Sequence, residues 1–318
     1  MSDQPSAILK TTGLVVGYKK ELRETPLFEP LNLQLHAGEL VCFMGSNGIG
    51  KTTLIKTLAG IQKPLQGEIQ CLETGALVLT DRITSALLTV RDLVTYGRYP
   101  FLNWNLSLSK KDEELIEFAI QKVRLENLAH KRLAELSDGQ LQMAMIAKAL
   151  AQDTHLLLLD EPTAHLDLNN RVEIMNLLRD LARIHAKTIL VATHELDLAL
   201  QTADTIWLAT PDQKIITGIP EDLVLNGSFD EVFQFKGFDL KTGRMMHTPY
   251  RNISIRLEGS GYEYLWTKNA LERNGYEINK KGIIRVWIQD AKYFLDNEVF
   301  ETLHALLKAL NSKNHQPL

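Results

Sequence analysis

Cysteine is nearly absent from this 318-residue chain, with only Cys42 and Cys71. A disulfide framework or a thiolate metal site needs more sulfur at closer spacing. The two are therefore expected to be reduced core residues of a cytosolic protein. A strong charge imbalance is missing as well: a formal net charge of -4 gives no general pull toward nucleic acid or anionic lipid. Long apolar runs are lacking, the longest (such as residues 156–159) being far too short to cross a bilayer. The first ten residues show no basic stretch followed by an apolar one, which argues against a secretory signal. No low-complexity tract or clear repeat interrupts the chain. What remains is the composition of an ordinary soluble globular protein, long enough for one large domain and an appendage. If a membrane is involved, the chain is expected to meet it through another protein, without inserting.

Residues from about 7 to 237 alternate between strand and helix patterns, which predicts an α/β domain with a largely parallel core sheet over residues 1–237. The runs at 40–44, 156–159 and 188–193 have no polar alternation, as expected of strands covered on both faces. A more charged helical stretch, 112–128, is expected to sit in a separate helical subdomain. From 238 to 318 the character changes. Ile253, Ile255 and Leu257 alternate with polar residues, a helix is expected over 263–272 and stopped by Gly275, and 283–288 reads as another strand. Val299, Leu303, Leu306, Leu307 and Leu310 form an apolar stripe at helical spacing. This predicts a small α+β C-terminal domain.

Between the first apolar run and a helix expected over 51–58 lies Gly45-Ser46-Asn47-Gly48-Ile49-Gly50-Lys51-Thr52, followed by Thr53. This fits the phosphate-loop pattern G-x-x-x-x-G-K-[ST]. Its glycines let successive backbone N–H groups turn inward on an anion, and the helix presents its positive end to the same anion. Lys51 is placed for the β/γ oxygens of a nucleotide, and the Thr52 hydroxyl for Mg2+.

A phosphate loop alone could belong to a GTPase, a kinase or a helicase. Two further segments narrow the choice. Leu136-Ser137-Asp138-Gly139-Gln140 resembles the LSGGQ signature of the ATP-binding cassette family, and it precedes Asp160-Glu161-Pro162-Thr163 at the end of an apolar run, which resembles that family's Walker B segment. Ala164-His165-Leu166-Asp167 is similar to its D-loop, and Thr193-His194-Glu195 to its switch-histidine segment. The motifs stand in the family's order over residues 7 to 237. The resemblance implies an ATP hydrolase with a P-loop core sheet, whose catalytic residues are Glu161, His194 and Lys51. Asp160 and Thr52 would hold Mg2+, Glu161 would polarise the attacking water, and His194 would contact the γ-phosphate. ATP would lie between two copies of the chain, with Ser137, Gly139 and Gln140 of one copy meeting the γ-phosphate held by the other, and Asp167 as the D-loop carboxylate. Ser137 and Gln140 also form a capping box that opens the next helix. Tyr18 occupies the place of the family's adenine-stacking aromatic; a tyrosine before Lys-Lys is also a common surface residue.

Two positions depart from the family. Asp138 stands where its signature has a glycine, and is expected to point away from phosphate. The family's glutamine, about thirty residues after the phosphate loop, is missing: no glutamine occurs between Gln70 and Gln121, and Thr80 takes that place as a short-reach metal ligand. Gly97-Arg98-Tyr99-Pro100 resembles the branch that imports iron–siderophore, haem and cobalamin complexes, in the stretch that faces the membrane partner there. It is also what a tyrosine-proline turn at a helix end would look like. The resemblance implies a homodimer of cassettes on a polytopic permease, peripheral to the cytoplasmic face of the inner membrane, with no nucleic-acid partner. The alternatives are a soluble non-transport cassette ATPase and a slowly hydrolysing nucleotide-dependent regulator.

Overall fold

In the computed structural model of the chain, residues 7–21, 23–72, 74–79, 87–104 and 107–313 are described. They form two units, divided between Gln234 and Phe235.

The first unit begins with β1 (Ala7–Val15), the hairpin of β2 (Gly17–Lys20) and β3 (Arg23–Pro26), β4 (Gln34–His36) and β5 (Leu40–Met44). Helix α1 (Lys51–Leu58), β6 (Gln66–Cys71) and β7 (Ala76–Val78) follow. Next come α2 (Val90–Thr95), α3 (Lys110–Lys122), α4 (Asp138–Leu150) and β8 (Leu156–Asp160). The unit ends with α5 (Leu168–His185), β9 (Thr188–Ala192), α6 (Leu196–Thr202), β10 (Thr205–Ala209), β11 (Ile215–Gly218), α7 (Pro220–Leu225) and α8 (Ser228–Phe233).

Its main sheet has the order β11-β10-β5-β9-β8-β7. All pairings are parallel except the edge strand β11. Every residue of β5, β8 and β9 is buried, which is why these strands read as unbroken apolar runs. Parallel strands share one direction, so the loops leaving the C-terminal ends of β5, β8 and β9 emerge side by side on one edge, where open α/β sheets place their ligands. A three-stranded antiparallel sheet, β4-β1-β6, packs its Leu9, Leu14 and Leu35 into the same core as Phe43, Leu54 and Leu158. Cys42 is buried in β5, but Cys71 is exposed, against the expectation that both are core residues. The reason is topological: β6 is an edge strand, paired only with β1.

The helix expected over 112–128 is shorter at its far end. Ser109 and Asp112 form a capping box that starts α3, and the helix stops at Lys122; Arg124 adopts a left-handed φ of 57°, and only a 3-10 turn at Glu126–Leu128 follows.

The second unit contains a two-stranded ribbon, β12 (Phe238–Asp239) with β13 (Arg244–Met245), then β14 (Ser254–Glu258), α9 (Gly261–Arg273), β15 (Glu277–Ile278), β16 (Ile284–Gln289), β17 (Lys292–Leu295), β18 (Glu298–Phe300) and α10 (Leu303–Lys313). The sheet order is β15-β14-β16-β17-β18, and its core joins Ile255, Val286 and Leu295 to Leu271, Tyr276, Leu306 and Leu310. Val299 belongs to β18 and not to the helical stripe; the helix begins at Leu303. Among the described residues, no helix is long and apolar enough to cross a membrane.

Candidate functional site

The site is built where three buried strands end. Residues 45–50 run from β5 to α1 with left-handed φ at Gly48 (79°) and Gly50 (111°), the curl a phosphate loop requires. Ser46, Asn47 and Gly48 are exposed at its crest. Lys51, only 7% exposed, bends back so that its Nζ donates to the carbonyls of Gly45 (3.0 Å) and Ser46 (3.4 Å). The ammonium is thereby held across the mouth of the loop. Burial pulls its pKa below the ordinary lysine range, and Glu161 and Asp160 oppose that shift.

At the end of β8, Asp160 is buried, and the Thr52 hydroxyl donates to its Oδ2 at 2.7 Å. A hydroxyl beside a carboxylate is a hard-oxygen donor set suited to Mg2+ and poorly suited to softer metals. Among the described residues, no group of three or more His, Cys, Asp or Glu could hold a metal ion. Thr80 lies outside the described residues.

Glu161 follows with a left-handed φ of 49°, uncommon for a residue with a side chain. Its N–H donates to the Ala192 carbonyl on the neighbouring strand at 2.8 Å, which locks the turn. The carboxylate makes two contacts: Oε1 lies 3.9 Å from Lys51 Nζ and Oε2 lies 2.5 Å from Nδ1 of His194. His194 is half exposed in the loop after β9. Its neighbour Thr193 is anchored by an N–H bond to Phe43 O on β5 (3.0 Å). Lys51, Asp160, Glu161 and His194, from positions as far apart as 51 and 194, therefore meet at one edge of the sheet.

The other candidates fall around this centre. Ser137 caps α4 as expected, with Gln140 N–H donating to its hydroxyl at 3.2 Å and Gln140 Oε1 accepting from its N–H at 3.1 Å. Asp138 is exposed on the first turn. Gly139 is buried, and a Cβ there would come within 2.6 Å of the Asn170 side chain. Asn170 in turn donates its side-chain amide to Asp167 (2.9 Å), whose other oxygen caps α5 through the Asn170 N–H (2.9 Å). Asp167, the carboxylate expected to serve a D-loop, is thus an N-cap within its own chain. Tyr18 sits half exposed on the β2–β3 hairpin, its hydroxyl hydrogen-bonded to Thr53 Oγ1 at 2.7 Å. Thr53 is buried, so its hydroxyl faces the tyrosine and positions that ring relative to α1.

Sequence reasoning missed two arginines. Arg98 of the Gly-Arg-Tyr-Pro segment is buried in a 3-10 turn, Tyr96–Phe101. Its guanidinium donates to Asp112 (2.8 Å), Ala151 O (2.9 Å) and Gln152 O (3.1 Å), and lies 4.6 Å over the Phe101 ring. Gly97 packs so tightly on α4 that a Cβ would sit 2.2 Å from Lys148 O. Half of this tetrapeptide therefore has a structural task. Arg171 bonds Glu195 and the D-loop, and no local pattern joins residues 24 positions apart.

A phosphate loop, a strand-end Asp-Glu pair and a histidine in the loop after the adjacent strand define a P-loop nucleotide hydrolase. Comparison with known proteins makes this specific. Residues 28–164 match the ABC transporter family, and residues 252–311 match the iron ABC transporter C-terminal domain. The chain is 35% identical over 293 residues to an uncharacterised ABC transporter ATP-binding protein of Methanocaldococcus jannaschii, covering 85% of this chain and 98% of that one. It is 36% identical to the petrobactin import ATP-binding protein of Bacillus anthracis (76% and 91% covered) and 35% identical to the achromobactin transport ATP-binding protein of Dickeya dadantii (69% and 85%). An inward-facing metal-chelate type ABC transporter superposes with a TM-score of 0.66 at 29% identity, covering 72% of this chain and 90% of that one. The chain belongs to the ABC transporter ATP-binding family and is an ATPase.

Proposed function

We propose that this chain is the motor subunit of an importer for ferric siderophores, and that two copies of it enclose ATP. The observation that carries the hydrolytic role is the Glu161–His194 pair, 2.5 Å apart, beside a buried Lys51. Lys51 leaves its two loop carbonyls for the β/γ oxygens of ATP. Glu161 accepts a proton from the attacking water, and His194, fixed through Nδ1, aligns the γ-phosphate with that water. Thr52 and Asp160 would hold Mg2+, which when bound neutralises charge on the phosphate oxygens. Tyr18 offers its ring face to adenine. Ser137, Gly139 and Gln140 serve the γ-phosphate of the opposite copy at the positive end of α4.

The importer assignment is supported by relatives named for petrobactin import, achromobactin transport and siderophore transport and by the match of residues 252–311. In this reading residues 1–237 are the nucleotide-binding domain and 238–318 an accessory domain. Exposed Tyr99, Phe101 and Trp104 (the last 95% exposed) offer an aromatic surface for the permease, which holds the subunit at the cytoplasmic face of the membrane.

The test is phosphate release with Mg-ATP, comparing wild type with Glu161→Gln. A positioned base contributes about 10²–10⁴-fold, so the substitution should remove at least about 99% of turnover. Equal, slow turnover by both proteins would leave a nucleotide-dependent regulator. For the cargo, uptake of radiolabelled ferric siderophore by cells lacking this chain should return with wild type and not with Glu161→Gln.

A further inference from the structure

We propose that Arg171 is a positioning residue for hydrolysis, tying the D-loop to the switch-histidine loop within one cassette. Arg171 lies in the first turn of α5 and spends its guanidinium on two loops at once. Nη1 donates to both oxygens of Glu195, each at 2.7 Å, while Nε donates to the Leu166 carbonyl at 2.7 Å. Leu166 belongs to the D-loop, and Glu195 follows His194.

A second observation indicates that Glu195 is committed to this bond. It occupies the N-cap of α6, yet its side chain caps nothing. The carboxylate is turned away from the helix it begins and toward Arg171. The switch loop is thus pinned on both sides of His194: Thr193 holds the Phe43 carbonyl through its N–H, and its hydroxyl accepts the Glu195 N–H at 3.0 Å; Glu195 holds Arg171. His194 itself has Glu161 on Nδ1 and Glu195 Oε1 3.7 Å from Nε2. Without Arg171, an uncompensated carboxylate would compete with Glu161 for the imidazole and turn the ring. A guanidinium fork is needed because a lysine ammonium, a point charge, cannot hold a carboxylate and a carbonyl in one plane.

This inference rests on the hydrolytic reading of Glu161 and His194, so the full-length chain is measured two ways. In steady-state ATPase assays Arg171→Ala should lower kcat by about 10–100-fold, the scale of a misplaced reacting group, with KM for ATP within about threefold of wild type because no phosphate ligand is touched. Arg171→Lys should fall between the two. Adding Glu195→Gln to Arg171→Ala should cost less than the product of the single losses. A kcat within twofold of wild type, a rise in KM alone, or fully multiplicative losses would overturn the proposal. Independently of turnover, nuclear magnetic resonance of histidine-labelled protein should show the His194 ring resonances moving in Arg171→Ala and only partly restored in Arg171→Lys, which keeps the charge but not the fork. An unmoved His194 would sink the proposal even if the enzyme hydrolyses ATP, whereas a moved His194 with no Glu161-dependent turnover would sink the hydrolytic reading instead.

Discussion

Replacing Arg98 with alanine separates two accounts of the Gly-Arg-Tyr-Pro segment. If Arg98 served chiefly as a contact for a membrane partner, the isolated chain would lose almost nothing. The structure indicates a large loss. The guanidinium is buried, pairs with an equally buried Asp112 and covers two carbonyls at the end of α4. Removing one member of a buried ion pair costs about 3–5 kcal/mol, because the other charge is left without its partner. Asp112 keeps the Ser109 hydroxyl (2.6 Å) and N–H (2.9 Å), so this part should fall near about 3 kcal/mol. Losing donors to the carbonyls and the contact over Phe101 brings the total to about 4 kcal/mol. For a unit of this size that corresponds to a midpoint lowered by about 8–16 °C. Thermal unfolding of the nucleotide-free chain, followed by circular dichroism, measures it. Arg98→Lys, which keeps charge but not the fork, should lose about half as much. A shift under about 3 °C for the alanine variant would refute the reasoning and return Arg98 to the surface account.

Further outcomes follow from the same geometry. The Asp112 carboxyl is held down to about 2, first by the Ser109 hydroxyl and N–H and then by Arg98. A depressed acid stabilises above its unfolded pKa of about 4 and loses that contribution as pH falls from there toward 2. The stability difference between wild type and Asp112→Asn, measured by urea unfolding across that range, should therefore narrow on acidification and stay flat above about pH 5. Burial pushes the Cys42 thiol up to about 12, whereas Cys71 is exposed, so a thiol reagent should label one cysteine in the native chain and two after denaturation. Thr52→Ala and Asp160→Asn should each raise the Mg2+ concentration needed for half-maximal ATPase by about tenfold or more, with nucleotide binding in EDTA little changed. Equal Mg2+ requirements in mutant and wild type would move the metal ligands elsewhere. Tyr18→Phe should free the ring from Thr53 and raise KM for ATP about two- to fivefold at unchanged kcat, the cost of one lost positioning hydrogen bond.

Much of the site was legible because its parts are local. A strand buried on both faces is an apolar run, a phosphate loop is a spacing of glycines, and a capping box is a pair three residues apart, as at Ser137 and Gln140. Features set by long-range packing were hidden. Nothing near Arg124 in the sequence marks the end of α3, since the residue that turns left-handed there is neither glycine nor asparagine. The β16–β17 hairpin turns through Asp290 and Ala291 with φ of 51° and 57°, and an alanine in such a turn carries no signal. Val299 falls into the helical stripe because it stands four positions before Leu303, although that spacing also falls across a strand, a short link and a helix start. The buried bonds of Arg98, read in the sequence only as part of a surface tetrapeptide, and the whole role of Arg171 were invisible, because each takes its meaning from partners 14 to 54 and 5 to 24 residues away.

The close approach of Gly139 to Asn170 has a consequence for the chain's evolution. Space at the two positions is shared: volume gained at 139 presses on the side chain at 170, and Asn170 cannot shrink without giving up its amide bond to one oxygen of Asp167. Residues 139, 170 and 167 should therefore drift as a unit among descendants of this protein. Alanine or serine at 139 would be tolerated mainly where 170 has become smaller and another group has taken over the aspartate.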